Sequence, residues 1–337
     1  MIGVVNTPGV IGVEFADPDL AAALGSDLER VETALRAALS SGDPFVREAS
    51  RHLLLAGGKR FRPLLVLLAA QHGDPDRPEV ISAAVVVELT HLATLYHDDV
   101  MDEAVMRRGA PSANMRWDNS VAILTGDLLF ARASDILADL GPEAVRLQAR
   151  TFERLVTGQI RETVGPVEGD EPVTHYLRVV AEKTGSLIAT SARFGAMFSG
   201  APPATVEALT SYGELIGVAF QLSDDLIDIS SDSAQLGKAT GTDLREGIRT
   251  LAMLHAVQGS DPAEARLREL LGAGPLTEDA VHAEALGLLR RSPAMDQARQ
   301  ALGEYAQRAR LTLDDVVPGP ARDALAGLCD VVVERSG

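Results

Sequence analysis

Apolar residues recur along most of the chain at spacings of three and four residues, the pattern of amphipathic helices. Segments rich in Leu, Ala, Glu and Arg are separated by short clusters of Gly, Pro, Asp and Ser, near positions 42–44, 72–78, 165–172 and 199–203. The valine run at 331–333 would suit a strand, but no partner strand is predicted, so we assign it to a helix. The pattern predicts an all-α fold, and we expect a single domain that spans 1–337.

The charge and the cysteine content narrow the class of protein. The 337 residues include 31 Lys and Arg but 48 Asp and Glu, a net charge of −17, which argues against a basic face for nucleic acid. Cys329 is the only cysteine, so the sequence predicts neither an intrachain disulfide nor a cysteine zinc site. The N-terminus lacks the basic region of a secretory signal, and the apolar run at 63–70 is much shorter than the ~20 residues that span a bilayer. We therefore expect a cytoplasmic protein without a transmembrane segment.

One acidic pattern, D-D-x-x-D, occurs twice, at 98–102 and 224–228. Residues four apart lie on one helix face, so Asp98 and Asp102 can share a cation, and Asp224 and Asp228 can share another. Carboxylate oxygens suit Mg²⁺, which keeps some waters and takes further ligands from substrate phosphates. A lone copy would be more typical of a solvated acidic face, but both copies have apolar flanks, and buried carboxylates need a cation. The doublet Asp314–Asp315 has no carboxylate four residues on, and we expect it at the surface.

Basic residues form two groups near the first acidic motif. Lys59, Arg60 and Arg62 follow two glycines and precede a helix that Pro63 suits as a first-turn residue, so they would lie beside a helix N-terminus, where anions are favoured. Arg107–Arg108 follows the acidic motif directly, and guanidinium groups match diphosphate oxygens well. Taken alone, the first group is equally compatible with a basic surface loop.

Other polar residues carry little information by themselves. His91 lies seven residues before Asp98, two turns away on roughly the same face, where a histidine is often a satisfied core residue. Lys183–Thr184 and Lys238 stand in the segments "AEKTGSL" and "GKATGTD".

The motifs taken together resemble the trans-isoprenyl diphosphate synthases, the polyprenyl synthetase family, and among them the actinobacterial long-chain enzymes. The matching segments, in chain order, are "GGKRFRP", "ELTHLATLYHDDVMD", "RRGAPS", "GDLLFARA", "GQ" at 158–159, "KTGSL", "FQLSDDLID" and "GKATGTDLREG". They cover roughly residues 50–250, which we take as the motif-bearing core. The resemblance implies antiparallel helices packed around a central cavity, and a homodimer.

The resemblance also implies roles for individual residues. Three Mg²⁺ ions would bind the allylic diphosphate through Asp98, Asp102 and Asp224. The ligands or waters would be oriented by Asp99, Asp225 and Asp228. The allylic diphosphate would also be gripped by Arg107, Lys183 and Lys238. The isopentenyl diphosphate pocket would contain Gly58, Lys59, Arg62, His91 and Arg108. The polar positions near the developing cation would be Thr184 and Gln221.

The reaction of this family accounts for the residue types. The C–O bond of the allylic diphosphate breaks, and Mg²⁺ with Arg and Lys stabilises the departing negative charge. The C3=C4 double bond of isopentenyl diphosphate attacks the allylic cation, and a proton is then lost to the departed diphosphate. No Ser-His-Asp or Cys-His constellation is needed. Water must be excluded, since it would quench the cation.

The sequence departs from the family pattern at one place, where Ile248 occupies a position that is lysine in many bacterial relatives and Arg249 follows. Either Arg249 supplies the charge or that contact is lost. A class I terpene cyclase and a non-catalytic subunit of a heteromeric synthase are the alternative functions. The all-Asp second motif and "GGKRFRP" argue against the first, and the intact acidic motifs argue against the second. A diiron carboxylate bundle would need Glu-x-x-His pairs, which are not placed here.

Product length is predicted from the helix that carries Asp98. Stepping back along one face, the growing chain would pass Ala93, Thr90 or Leu89, and Val86. In this family a large aromatic residue four or five positions before the first aspartate closes the cavity at about the farnesyl stage, and here those positions are the small Thr94 and Ala93. We therefore expect an all-trans product of roughly seven to ten isoprene units, with geranylgeranyl or farnesyl diphosphate as the short-chain alternative. Release of such a product implies transient membrane contact.

Overall fold

The computed structural model describes residues 15–231 and 240–335 and is all-α apart from one short hairpin. The hairpin strands are β1 (Met106–Arg107) and β2 (Ala110–Pro111). The α-helices are α1 (Pro18–Ala38), α2 (Pro44–Leu55), α3 (Phe61–Ala70), α4 (Pro78–Met101), α5 (Ala113–Arg116), α6 (Asn119–Leu140), α7 (Pro142–Val164), α8 (Pro172–Val180), α9 (Ser186–Phe198), α10 (Pro203–Ser230), α11 (Thr242–Glu246), α12 (Leu251–Gln258), α13 (Ala265–Gly272), α14 (Asp279–Leu289), α15 (Pro293–Thr312) and α16 (Pro320–Glu334). The predicted all-α class is confirmed.

Two helices, α1 and α2, begin where an aspartate followed by a proline interrupts the apolar pattern. Oδ1 of Asp17 accepts a hydrogen bond of 2.8 Å from the backbone N–H of Leu20, and Oδ1 of Asp43 accepts one of 2.8 Å from Phe45. Proline follows each aspartate as the first helical residue, where its missing N–H costs nothing. The break predicted at 42–44 is therefore a capping site, and Asp17 caps α1 in the same way.

The chain forms two compact units. The first comprises the described parts of Met1–Glu153, with Leu187–Gly213 and Thr312–Leu325. Its central element is α4, which contacts α1, α3 and α6. By length and composition α4 could cross a membrane, but 72% of its apolar window is buried inside the protein, as in a core helix. Its burial on several sides fits the absence of a clear polar face.

The hairpin between α4 and α5 is too short to be seen in the sequence pattern. Met106 pairs with Pro111 and Arg107 with Ala110, in antiparallel register. Arg108 and Gly109 form the turn with φ of 55° and 77°, the left-handed pair that a two-residue hairpin requires. The turn therefore holds Arg107 and Arg108 in different backbone environments.

The second unit comprises Arg154–Ser186, Glu214–Leu311 and the described part of Ala326–Gly337. In it α12 packs on α13, and α13 packs on α14. Between α8 and α9 the chain makes one π-helical turn over Ala181–Gly185, a distortion often found at functional sites. The valine run lies in α16, as the sequence predicted. The single domain over 1–337 stays a prediction.

Candidate active site

The first acidic motif lies at the C-terminal end of α4. Asp98 is half-buried, Asp99 is fully buried, and the side chain of Asp102 is 48% exposed. Asp102 caps the helix, and its backbone N–H donates to the carbonyl of Asp98 at 2.8 Å. Asp98 and Asp102 are thus joined across one turn, as the spacing predicted, while Asp99 points into the protein.

The side chain of Arg107, on β1, contacts this motif. Its Nε donates to Oδ1 of Asp99 at 2.6 Å, and its Nη2 lies 3.7 Å from Oδ2 of Asp102. The carbonyl of Asp99 accepts from the backbone N–H of Ala104 at 2.9 Å, which closes the loop from the helix to the hairpin. One guanidinium therefore bridges two of the three aspartates and partly offsets their charge.

A basic pocket lies one to two turns upstream on α4, around His91. Nη2 of Arg108 lies 3.5 Å from Nε2 of His91. Burial lowers the pKa of His91 well below its usual value, and the charges of Arg62, Arg108, Arg60 and Arg107 lower it further. Arg107 is paired with Asp99, but Arg62 and Arg108 with a neutral imidazole form a site suited to an anion rather than to a metal ion.

The glycine loop before α3 makes room for two of these arginines. A Cβ atom on Gly58 would lie 2.8 Å from Cζ of Arg108 and 2.7 Å from Nη1 of Arg60, and the φ of Gly58 is 151°. Nη1 of Arg108 donates to the carbonyls of Leu53 and Gly57. Burial lowers the pKa of Arg108 from its usual value. The positive φ therefore favours glycine at position 58, and a side chain there would displace the guanidinium groups of Arg60 and Arg108.

The structure separates three basic residues that the sequence placed together. Arg60 forms ion pairs with Glu32 and with Glu88, the latter at 3.1 Å, so its charge is used within the protein. Lys59 is exposed and Arg62 is half-buried on the first turn of α3. Within this group, Lys59 and Arg62 are the better candidates for an incoming anion.

The second acidic motif lies near the C-terminal end of α10. The side chain of Asp224 is 44% exposed. Asp225 accepts hydrogen bonds from the hydroxyl of Tyr176 and, at 2.8 Å, from Nε2 of Gln221. Burial raises the pKa of Asp225 to about 7, and the nearby charges of Asp224 and Asp228 also raise it, whereas the two hydrogen bonds lower it. Cations would stabilise this arrangement in its charged form.

Asp228 is held by the start of α11. Its two carboxylate oxygens accept backbone hydrogen bonds from Thr242, at 3.1 Å, and from Asp243, at 3.2 Å. Burial raises the pKa of Asp243 to about 8, and the charges of Asp225 and Asp228 contribute. Sequence reasoning did not assign Asp243, although it lies in the segment "GTDLREG" that carried part of the resemblance. The second unit therefore gathers four carboxylates, of which two are strongly desolvated.

The polar residues Lys183 and Thr184 lie on the π-helical turn. Lys183 forms an ion pair with Glu162, and Oγ1 of Thr184 donates to Oε1 of Gln221 at 3.1 Å. A Cβ on Gly158 would lie 2.6 Å from the backbone nitrogen of Lys183, so the glycine permits this close approach of α7. Gln221 thus connects Thr184 to Asp225.

Two further positions were expected to contribute basic side chains, Lys238 and the pair Ile248–Arg249. Lys238 lies outside the described residues. Ile248 and Arg249 are exposed beside a shallow cavity that also contains Asp243 and Gly247. Whether the charge of Arg249 takes the place of the missing lysine stays a prediction.

The donor set fits magnesium that is delivered with a diphosphate. In the described ranges, no group of three or more His, Cys, Asp or Glu side chains is placed to hold a metal ion by itself. Asp98 with Asp102, and Asp224 with Asp228, offer hard oxygen donors in pairs, and Mg²⁺ commonly takes one or two carboxylates and completes its shell with phosphate oxygens and water. The carboxylates present are therefore of the right type and number for that mode of binding.

The residues predicted to set product length lie in the middle of α4. Ala93 and Thr90 are fully buried. Oγ1 of Thr90 donates to the carbonyl of Val86 and accepts from Nε2 of Gln148, both at 2.8 Å. Thr94 is half-buried and donates to the carbonyl of His91. Small side chains therefore line this stretch of the helix, and the threonines bond to its own backbone.

Tyr96, the large aromatic residue next to these positions, has a structural role. Tyr96 is fully buried, and its hydroxyl donates to the carbonyl of Ala49 at 2.6 Å and accepts from the backbone N–H of Leu53 at 3.2 Å. Tyr96 therefore fastens α2 to α4.

The fold and the site geometry define a helical protein with paired carboxylates and a basic anion pocket. A family model described as polyprenyl synthetase matches residues 43–289. The chain belongs to the polyprenyl synthetase family, and the resemblance predicted from its motifs is confirmed.

Relatives with assigned activities extend over nearly the whole chain. The chain is 52% identical over 336 residues to nonaprenyl diphosphate synthase of Mycobacterium tuberculosis, covering 99% of this chain and 100% of that protein. It is 46% identical over 319 residues to a dimethylallyltranstransferase of the same organism, covering 94% and 97%. Among solved structures, geranylgeranyl pyrophosphate synthase of Corynebacterium glutamicum, in complex with calcium and isoprenyl diphosphate, superposes with a TM-score of 0.87 at 47% identity, covering 96% and 100%.

Proposed function

We propose that this protein is a Mg²⁺-dependent prenyltransferase that condenses isopentenyl diphosphate head-to-tail with an allylic diphosphate. The observation that carries the proposal is the basic pocket that Arg62 and Arg108 form around His91, which lies on the same helix as Asp98 of the first carboxylate pair. The pocket suits a diphosphate without a metal, and the carboxylate pair suits a diphosphate that carries one. Two differently charged binding regions match two diphosphate substrates that must be told apart.

The ionisation step requires stabilisation of a leaving diphosphate. Bound magnesium would supply Lewis-acid stabilisation of that charge, held by Asp98, Asp102 and Asp224. Arg107 adds a guanidinium that already lies within the first motif, and Lys183 adds an ammonium from the π-helical turn. We propose three magnesium ions in the loaded enzyme.

The condensation step requires the second substrate to be held without premature reaction. Lys59, Arg62 and Arg108 would bind the diphosphate of isopentenyl diphosphate, and neutral His91 would offer a hydrogen bond without adding charge repulsion toward the arginines. Positioning the double bond against the allylic carbon removes an entropic barrier of several kcal/mol (roughly 7–11 for well-oriented reactants). Gln221 and Thr184 would lie near the developing cation. The proton lost at the end passes to the departed diphosphate.

We propose a long-chain product of roughly seven to ten isoprene units. The small residues Ala93 and Thr94 support it, because a growing chain would meet no aromatic side chain at these positions. The high identity to a nonaprenyl diphosphate synthase supports it as well. The second candidate, a geranylgeranyl diphosphate synthase, is favoured by the similarity to the Corynebacterium structure.

Product analysis tests this function. Purified enzyme with Mg²⁺ and isopentenyl diphosphate is supplied in parallel with dimethylallyl, geranyl, farnesyl or geranylgeranyl diphosphate, and the products are dephosphorylated and sized by chromatography. We expect polyprenols beyond twenty carbons. Products that stop at twenty carbons would support the second candidate, and a cyclised hydrocarbon without consumption of isopentenyl diphosphate would point to a terpene cyclase.

The assembly and location are proposed on the same basis. We propose a cytoplasmic homodimer that contacts membranes transiently when it releases product. On α6, the side chains of Ile123 and Leu124 are 43% and 65% exposed, which is compatible with an apolar interface. Light scattering coupled to gel filtration would measure the mass, and a monomer at micromolar concentration would contradict the dimer.

A further inference from the structure

Arg335, immediately after α16, reaches the second acidic motif. Its Nη2 lies 2.8 Å from Oδ1 of Asp224, in an ion pair in which the arginine side chain is only 17% exposed. More than 100 residues of sequence separate the two, so sequence spacing gave no sign of the contact. Asp224 is therefore the one aspartate of its motif for which the structure records an ion pair with an arginine, within the described ranges.

Arg335 is fixed by contacts that do not involve Asp224. Its Nε donates to Oγ of Ser223 at 2.9 Å, and its Nη2 also donates to the carbonyl of Phe220 at 2.9 Å. Its guanidinium carbon lies 4.2 Å from the centre of the Phe220 ring, a cation–π distance. Ser223 is fully buried, so the hydroxyl that accepts this bond is itself held in the core. The guanidinium would keep its place if the Asp224 bond were broken.

Because Arg335 has partners other than Asp224, two possible roles of its guanidinium can be distinguished. A guanidinium held only by Asp224 would compete with an incoming cation and leave when it arrived. A guanidinium held by a carbonyl, a hydroxyl and an aromatic ring stays, and it presents one N–H to one carboxylate oxygen. Hydrogen bonds of this outer-shell type orient metal ligands and strengthen metal binding.

We propose that Arg335 is a positioning residue that holds the Asp224 carboxylate for the cation-bound diphosphate. The inference rests on the proposed function, in which Asp224 is a metal ligand. It assigns to the C-terminal segment a part in metal binding, because the residue that follows α16 orients a ligand without being one. Loss of Arg335 therefore weakens cation binding without removing any ligand.

The test measures cation binding directly as well as turnover. Mn²⁺ replaces Mg²⁺ as a paramagnetic probe, and free Mn²⁺ is counted by electron paramagnetic resonance during titration of the enzyme with inorganic pyrophosphate present. We expect Arg335→Gln to raise the Kd for Mn²⁺ by about 10-fold or more. In the turnover assay, the Mg²⁺ concentration for half-maximal rate should rise, while KM for isopentenyl diphosphate stays within twofold.

Arg310→Gln is the matched control. Arg310 also secures α16, since its Nη2 donates to the carbonyl of Ala326 at 3.1 Å and to the carboxylate of Asp330, and both of these partners lie on α16 outside the acidic motifs. Its removal should leave the Mn²⁺ Kd unchanged even where it lowers the Tm. Arg335→Lys should restore part of the affinity, because one ammonium can reach Asp224 but cannot also reproduce the fork toward Ser223 and Phe220.

The outcomes separate the inference from the proposed function. If Asp224→Ala abolishes turnover and Mn²⁺ binding while Arg335→Gln changes neither, the positioning role is wrong and the function stands. If Asp224→Ala leaves both intact, the metal role of the motif fails. Equal losses of affinity in Arg310→Gln and Arg335→Gln would show that α16 acts only as scaffold, and would also overturn the positioning role.

Discussion

Nε of Arg107 lies 2.6 Å from Oδ1 of Asp99, the completely buried carboxylate of the first acidic motif. The other oxygen of Asp99, Oδ2, is buried without a hydrogen-bond partner among the described residues. Arg107 is thus the main partner that compensates the buried negative charge of Asp99. This ion pair also joins the hairpin to α4. A residue expected to grip substrate therefore also supports the fold.

The two roles of Arg107 can be separated by a pair of variants. Arg107→Gln should lower stability by roughly 3 kcal/mol, because it leaves the buried carboxylate of Asp99 uncompensated. It should also raise KM for the allylic diphosphate. Adding Asp99→Asn removes the charge and should recover most of the stability, measured by urea unfolding, but not the KM. Recovery of both in the double variant would mean that Arg107 does not contact substrate.

The two acidic motifs should be equally indispensable. Asp98→Ala and Asp224→Ala each remove a proposed metal ligand and should lower turnover by at least ~100-fold at saturating Mg²⁺. Asp315→Ala is the control, because that residue belongs to an exposed doublet in a short 3₁₀ turn. Turnover of Asp315→Ala should match that of the wild type. Near-normal rates in both Asp98→Ala and Asp224→Ala would contradict the mechanism.

The glycine loop offers a matched pair of substitutions. Gly57 and Gly58 both have positive φ, 95° and 151°, but a Cβ on Gly57 meets nothing within 4 Å, whereas one on Gly58 meets Arg108 and Arg60. Gly57→Ala should therefore show only the cost of backbone strain. Gly58→Ala should in addition raise KM for isopentenyl diphosphate several-fold, since Arg108 must shift. Steady-state kinetics with both substrates varied would measure the difference, and identical KM values in the two variants would contradict the pocket.

His91 should make the apoenzyme sensitive to acid. Its pKa is lowered in the folded state, so below about pH 6.5 the unfolded chain binds a proton that the folded chain does not. Stability contributed by neutral His91 is therefore present above that pH and is lost as the pH falls, by at most roughly 1.4 kcal/mol per pH unit. His91→Gln should make the free energy of unfolding less dependent on pH between pH 7 and pH 5. Urea unfolding at each pH would measure this free energy. An unchanged slope would show that His91 titrates normally.

The same residue serves the proposed reaction, and substrate dependence tests that part. His91→Ala and Arg62→Ala should each raise the apparent KM for isopentenyl diphosphate more than the KM for the allylic substrate. Equal effects on both substrates would mean that the pocket is assigned wrongly.

Sequence reasoning succeeded where the cause was local. The break at 42–44 depends on Asp43 and on the residues just after it, and the paired aspartates depend on a four-residue helical repeat. The hairpin was missed because two-residue strands carry no periodicity.

Long-range partners lay beyond sequence reasoning. The separation of Arg60 from Arg62 rests on Glu32 and Glu88, each 28 residues away, and the roles of Tyr176, Asp243 and Arg335 appear only when distant helices meet. The family, the fold class and the enzyme class were predicted correctly, since eight ordered motifs outweigh any single one. The roles of the site residues stay predictions.

Product length should respond to one substitution on α4. Ala93 is fully buried, five residues before Asp98, and the growing chain is proposed to pass it. Ala93→Phe should shorten the product by several isoprene units while the rate of the first condensation stays nearly unchanged, because the added ring lies upstream of the carboxylates. Ala84→Phe, at an equally buried alanine of the same helix, is the control for overpacking, which typically costs 1–3 kcal/mol. It should lower the Tm without shifting the product distribution. An unchanged distribution in Ala93→Phe, or the same shift in both variants, would mean that the product does not follow this face of α4.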